Sequence, residues 1–546
     1  MLSSFAKTFA RVLRNERRVR PERAAANEAP VRPTVRVADV PGMHRLFPEH
    51  PFYGSLLALE VARRGDGAQA LELLDRLESD GRATLETAVA RARVLGELSK
   101  REGAIAALER FAVDAKDAGV HVILAENYFL AGRLEDADRA YADALALNPH
   151  SFPALMSKAV TAGRRNRMEE AIDCARRALR YDPRSVDAWS NLHWIYGLAN
   201  RFQEEARAID EALALFPDNA QFTVARGMHR LLRGDFARGW EDFDARLRDP
   251  ERYPLRRSLL ERPMWRGESF AGKTLLVFGE QGAGDNLMMA RYLPRVKALG
   301  GRVVYEVPEG LHELLETAGG IDLCVPRRLD REPQVAFDLW TPVMTWPRTF
   351  AAALDTIPSE IPYLSVPRET RVFWNGLVGP GDALKVGLAW SGNPGHLNDC
   401  FRSVPMDAMV PLLRTSGVLF HRLQLEGGQD LARVFPAVRD LTEHVITFAD
   451  TAALIDQMDL VITVDTSIAH VAGALGKATW LMLPFRPDWR WLLDRDDSPW
   501  YPSVRLFRQP QPQDWRAVIQ EVKAALGREL TRRSGAPAGE PQEFVQ

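Results

Sequence analysis

Cysteine is scarce: Cys174, Cys324 and Cys400 are the only three in 546 residues. They are scattered, with no Cys-x-x-Cys pair and no metal-ligand spacing. This excludes a disulfide-stapled scaffold and points to reduced thiols in a cytoplasmic protein. Net charge is also nearly absent. Lys+Arg 71 against Asp+Glu 73 leaves −2, so no global positive field makes nucleic acid the default partner. No apolar run approaches the ~20 residues that a spanning helix needs. What remains has globular composition, 46% hydrophobic and 26% charged, which excludes a wholly disordered chain or a collagen. The length predicts three or four domains.

The first 36 residues differ from the rest, with nine Lys/Arg against three Glu. Phe5, Phe9, Val12 and Leu13 could line one face of a short helix. The long apolar core and small-residue cleavage site of a secretory signal are missing. A solvated leader is the expectation, and a membrane-surface helix is the alternative. Residues 21–40, rich in Pro, Ala and Arg, read as a linker, and 531–546 as a polar tail.

The strongest internal signal is a period of 34: Pro149, Pro183 and Pro217 repeat at this spacing. So do Gly132, Asn166, Asn200 and Gly234, all residue types that accept a left-handed turn. Two positions on come Leu134, Met168, Phe202 and Phe236, and a small residue recurs at Ala144, Ala178 and Ala212. The pattern predicts helix, tight turn, helix, then a proline stop. One such unit cannot bury its own apolar face, so units must stack. It resembles the tetratricopeptide repeat, most clearly over 121–250, with degenerate units around Ala68–Leu77 and Gly103–Phe111. The resemblance implies a groove that recognises peptide or protein; a rigid spacer or a dimer surface is the plainer reading.

From Lys273 the period changes. Thr274–Phe278 reads as a buried strand, followed by a glycine loop, a helix over 286–299, a strand at Arg302–Val307 and a helix at Leu311–Ala318. Further strands are expected at Lys385–Trp390, Val418–Leu425, Val445–Phe448, Leu460–Val464 and Thr479–Leu483. Two doubly wound domains in tandem would open a cleft at the carboxyl ends of their strands. Gly279, Gly282 and Gly284 do not spell G-x-G-x-x-G, but they deliver Asp285 to a helix start, where a plain N-cap is the competing role. Asp465, Thr466 and Ser467 join a strand to a helix, a place that suits a phosphate or simple capping. His470, one turn on, reads equally as a ligand or a packed polar residue. Trp489, Trp491, Trp500 and Tyr501 could stack on a base or sugar, although packing is favoured; Trp340, Trp346 and Trp374 read as core.

These segments together resemble the glycosyltransferase domain fused to tetratricopeptide repeats in many bacterial proteins. That domain is related to lipopolysaccharide heptosyltransferases and, more distantly, to protein O-GlcNAc transferase. The resemblance covers about 273–528. It rests on Gly279–Asp285, Trp390–Pro394, Asn398-Asp399 with Arg402-Ser403, Val464–Thr466, Leu483–Trp491 and Asp496–Pro502. It implies an α + α/β architecture in which a repeat solenoid precedes a GT-B pair of Rossmann-like domains. The expected layout is leader and linker 1–50, repeats 51–255, acceptor-side domain 256–380, nucleotide-sugar domain 381–530 and tail 531–546. The resemblance makes Asp285 the base that deprotonates the acceptor hydroxyl, with Gly282 and Gly284 in its loop. It assigns Asp465, Thr466 and Ser467 to the donor's diphosphate. Ser391, Gly392 and Asn393 would face the donor, Gln424 would lie near the nucleotide, and Arg402 would supply a cation to the leaving group. His470 is counted with the donor side.

Cys400 and Leu425 replace a basic residue and a lysine that family members often carry, which raises an altered donor such as a nucleoside monophosphate sugar. No metal or other cofactor is expected, and Asp494-Arg-Asp496 reads as structural despite its D-x-D spelling. The implied function is inverting sugar transfer from a nucleotide sugar to Ser or Thr of a cytoplasmic protein, with flagellin the first candidate acceptor. Two alternatives stand beside it. One is a non-catalytic repeat scaffold with a vestigial domain. The other is transfer to a lipid or polysaccharide at the membrane, helped by the basic leader. Deleting 50–250 should cripple a protein-modifying enzyme first, whereas deleting 1–36 should cripple a membrane-bound one.

Overall fold

The computed structural model describes His44 and residues 50–534, except 80–82, 114, 329 and 396–397. The leader and linker read at 1–50 thus fall almost wholly outside the described residues, as does the tail from 535 on. Contacts divide the chain into two compact units, one ending at Ala208 and one beginning at Ile209.

From Pro51 the described chain runs as six helix pairs. They are α1 Pro51–Arg63 with α2 Gly67–Ser79, α3 Leu85–Glu97 with α4 Arg101–Ala112, and α5 Ala118–Leu130 with α6 Leu134–Leu147. Then come α7 Phe152–Arg164 with α8 Met168–Tyr181, α9 Val186–Leu198 with α10 Phe202–Leu215, and α11 Ala220–Leu232 with α12 Phe236–Phe243. This is a repeat of antiparallel helix hairpins. Every pair turns on one residue at positive φ: Gly65, Ser99, Gly132, Asn166, Asn200 and Gly234. The next amide then reaches back five residues, as Arg133 to the Tyr128 carbonyl at 2.9 Å and Arg167 to that of Ala162 at 2.8 Å. That geometry satisfies carbonyls which a helix end otherwise orphans.

The first helices start on side-chain caps. Thr84, Asp117, Ser151, Ser185 and Asn219 each accept from an amide of the first turn. Ala144, Ala178 and Ala212 are fully buried, so the small side chains do sit where helices approach. The division between units falls inside α10, and the sixth pair belongs with the α/β part of the chain.

That part holds two parallel sheets. The first is ordered β3-β2-β1-β4, from Thr274–Phe278 (β1), Arg302–Val307 (β2), Leu323–Pro326 (β3) and Leu339–Pro342 (β4). The second is ordered β10-β9-β8-β5-β6-β7. Its strands are Leu384–Ala389 (β5), Val418–Arg422 (β6), Val438–Arg439 (β7), Leu460–Val464 (β8), Thr479–Leu483 (β9) and Val504–Arg508 (β10). Buried on both faces, the central strands read as continuous apolar runs. Phe278, Val304, Phe337 and Trp340 lie in the first core. In the second, Val386, Phe420, Ile462 and Met482 pack with Val518, Ile519 and Val522 of the last helix, Trp515–Ser534. Trp340, Trp346 and Trp374 are buried as read.

Three expectations need correcting. Val445–Phe448 is not a strand. A 3-10 turn occupies Thr442–His444, and Phe448 opens a helix to Asp456. Thr447 and Asp450 form a reciprocal capping box there, which outweighs the β-branched run before it. The edge strand is the two-residue β7 instead. The helix expected over Leu311–Ala318 is the single turn His312–Leu315. The last helix continues to Ser534, into the stretch read as tail. Among the described residues, no helix is long and apolar enough to cross a membrane.

Candidate functional site

Each sheet has one place where chain order reverses. In the first sheet β1 lies between β2 and β4, and in the second β5 lies between β6 and β8. Loops leaving carboxyl ends at such a point diverge to opposite faces and open a crevice. Gly279–Gly282 and the helix α13, Ala283–Met289, follow β1. Trp390–Asn393 follows β5; Asp465, Thr466 and the helix α14, Ser467–Ala474, follow β8. Helices α13 and α14 pack against each other.

Asp285 is not the N-cap of α13. Gly282 holds that position, and Asp285 stands three residues on, where its Oδ2 accepts from the Gly282 amide at 2.9 Å. Its Oδ1 pairs with Arg490 Nη2 from the loop after β9. The Asp285 side chain is 14% exposed. Burial pushes its pKa up, while Arg490 and the Gly282 amide pull it back. Gly284 lies so close to the His470 ring that a Cβ there would sit 2.6 Å from Cδ2.

Around β5 and β8 the predicted donor residues converge. Gln424 Oε1 accepts from the amides of Trp390 at 3.0 Å and Ser391 at 2.9 Å, and its Nε2 donates to Ser391 Oγ. The Gly392 amide donates to Ser403 Oγ at 3.0 Å, and Ser403 Oγ donates to Asp399 Oδ2 at 2.9 Å. Arg402 donates through Nε to Asp399 Oδ1 at 3.0 Å and through Nη1 to the Asp465 carbonyl at 3.1 Å. A Cβ on Gly392 would meet the ends of the Asp399 and Arg402 side chains, so a larger residue there would have to displace that ion pair. Thr466 is the N-cap of α14, its Oγ1 accepting from the Ile468 amide at 3.3 Å, and Ser467 is the first helical residue. Asp465 is half-buried; burial and the nearby Asp488 carboxylate raise its pKa to about 6, against Arg490 and Arg402.

Two residues fall apart from this cluster. Asn393 is exposed and accepts from the Gly395 amide at 2.7 Å, a local turn. His470 is buried, stacked on Trp491, with Nδ1 2.9 Å from the Tyr501 hydroxyl. Burial, with Arg490 and Arg291 nearby, holds it neutral. The aromatic group is core. Trp489 packs edge-on to Trp240, and Trp500 stacks on Phe236, so the sixth helix pair closes over this segment. Cys400 and Leu425 are exposed.

Sequence reading missed Arg490 as a site residue. Its Nη1 donates to Asp488 Oδ1 at 2.6 Å, and its guanidinium lies 4.2 Å from the centre of the Trp489 ring. It also missed the buried anchor beneath the Asp285 loop. Glu280 receives Arg246 through both oxygens, at 2.9 and 2.6 Å, and accepts the Met344 amide at 2.9 Å. Among the described residues no group of three or more His, Cys, Asp or Glu side chains could hold a metal ion.

No family model matches the chain. The chain is similar to Protein FlbA of Caulobacter vibrioides, 26% identical over 523 residues, covering 84% of this chain and 86% of that protein. Solved structures similar to parts of it include MamA from Desulfovibrio magneticus (17% identity, TM-score 0.28, 30% of this chain and 93% of that one). The TPR protein YrrB matches at 14% identity and TM-score 0.30, over 34% and 95%. The type IV pilus biogenesis factor PilW matches at 16% and 0.32, over 39% and 97%.

Proposed function

We propose that the chain is a glycosyltransferase of the GT-B kind, its two parallel-sheet regions forming the acceptor and nucleotide-sugar sides of one cleft. It acts in the cytoplasm, without a metal, on Ser or Thr of a protein acceptor that the helical repeats recruit. Flagellin is the first acceptor to test. The observation that carries this reading is the meeting of Asp285, from the reversal point of one sheet, with Arg490 beside Asp465 at the reversal point of the other.

The chemistry explains why these residue types are needed. Attack at the anomeric carbon expels an anionic nucleotide, and Arg402, Arg490 and the start of α14 can stabilise that charge. The acceptor hydroxyl must lose a proton as it attacks, and on this reading Asp285 takes it, giving inversion in one displacement. Ser391 and Gly392, fixed by Gln424 and Ser403, would line the donor side.

The test is mass spectrometry of cellular proteins with the gene present, deleted, or carrying Asp285→Asn. A glycan mass shift on one protein should vanish in both altered strains, while that protein still co-purifies with the variant. A shift that survives Asp285→Asn overturns the reading.

A further inference from the structure

Arg490 occupies an odd position for a phosphate-binding cation, because carboxylates surround it. Nη2 pairs with Asp285 and Nη1 with Asp488, and Asp465 adds a third negative charge nearby. The residue is 9% exposed, its planar group lies over Trp489, and its Nε is buried with no partner. Arginine has five N–H donors, so capacity is left over on a group already held in place. From the other side, Asp285 has both oxygens engaged, one by the Gly282 amide and one by Arg490. The adjacent cation lowers the proton affinity that burial otherwise raises at Asp285, and the arginine covers Oδ1.

An incoming phosphate changes the competition. It offers Arg490 more charge and more acceptor oxygens than one carboxylate does, in bidentate geometry. Asp488 sits two residues away in the same loop and can keep the arginine tethered while it turns. We infer that Arg490 is a latch: it masks Asp285 while the cleft lacks an anion, and an anionic phosphate draws it away and frees the carboxylate to accept a proton. Base and leaving-group site are then coupled, and Asp285 is unmasked only when a donor phosphate is in place. This inference rests on reading Asp285 as the base.

The experiment uses the full chain and needs no turnover. Asp285 is labelled with a water-soluble carbodiimide and glycinamide, and its modification is read by peptide mass spectrometry during a titration with inorganic pyrophosphate. Labelling should be low in the wild type and rise about fivefold at saturation, as the latched population is depleted. Arg490→Gln should label at the high level throughout and ignore pyrophosphate. Arg490→Lys keeps the charge and should start low with a weakened response. Wild-type labelling that stays flat or falls with pyrophosphate overturns the latch, and so does Arg490→Gln labelling at the wild-type level. The wild-type titration stands even if a variant fails to fold. Sugar transfer with an unresponsive Asp285 sinks the latch alone; a responsive Asp285 with no transfer to any acceptor sinks the transferase reading.

Discussion

His421 lies on β6 with 1% of its surface exposed, and neither ring nitrogen has a hydrogen-bond partner. Burial, with Arg439 and Lys385 nearby, lowers its pKa to about 4. An unfolded histidine takes up a proton near pH ~6.5. Between those values the unfolded chain binds a proton that the folded chain refuses, so stability falls as pH falls through that window. His421→Phe fills the same apolar space and should remove that loss. Urea denaturation at pH 7 and pH 4 should show the variant gaining about 3 kcal/mol on the wild type over the interval, a figure set by the size of the shift. An equal loss in both proteins would mean His421 is protonated in the fold. At this scale, legibility depends on how far apart the partners lie. Ser391, Gly392, Arg402 and Gln424 came only with the family resemblance and Asp465 from the end of an apolar strand; they lie together because loops at a reversal point converge. Arg490 could not be read, since its meaning comes from Asp285, 205 positions away, and nothing local announces such a pair.

The helices and strands were more legible than their edges. Central strands showed as apolar runs, and four of the six left-handed turns showed as Gly or Asn on the 34-residue register. Ser99 did not, because serine carries no turn preference strong enough to mark positive φ. Val445–Phe448 misled because β-branched residues precede a capping box, and Ile446 is left 87% exposed. Packing between α13 and α14 yields a prediction at this scale. Gly284 faces the His470 ring, which Trp491 and Tyr501 hold in place, so an added methyl must push α13 away. Gly284→Ala should cost about 1–3 kcal/mol as overpacking and displace Asp285, the next residue. At Gly282 the nearest atom to an added Cβ is Asp285 Oδ2 at 3.3 Å, so Gly282→Ala should be milder. Thermal melts of both variants check the order, and a Gly284→Ala melt matching wild type would mean the helices have room to part.

At the scale of the whole chain, the repeats and the α/β region are not divided where the sequence period stops. The sixth helix pair belongs with the sheets, and its aromatics Phe236, Trp240 and Phe243 pack on Trp500 and Trp489. Just beyond it, Arg246 bridges Asp244 at 2.7 Å and Glu280 at 2.6 Å, and Glu280 is 1% exposed. Trp240 and Phe243 lie at the end of the 34-residue pattern, and nothing in their local sequence shows that they pack on aromatics about 250 residues further on. Deleting 50–250 therefore would not isolate acceptor docking. It would remove Arg246 and leave Glu280 buried without its cation, a loss of about 3–5 kcal/mol, and it would uncover two tryptophans. Deleting 51–200 keeps α10 whole and spares every one of these contacts. The shorter deletion should melt in one cooperative transition and keep the pyrophosphate response of Asp285, but lose transfer to a protein acceptor. The longer one should aggregate or unfold. Circular dichroism melts together with carbodiimide labelling separate the two, and a longer deletion as stable as the shorter would show that the Arg246–Glu280 pair and its aromatic cover are dispensable.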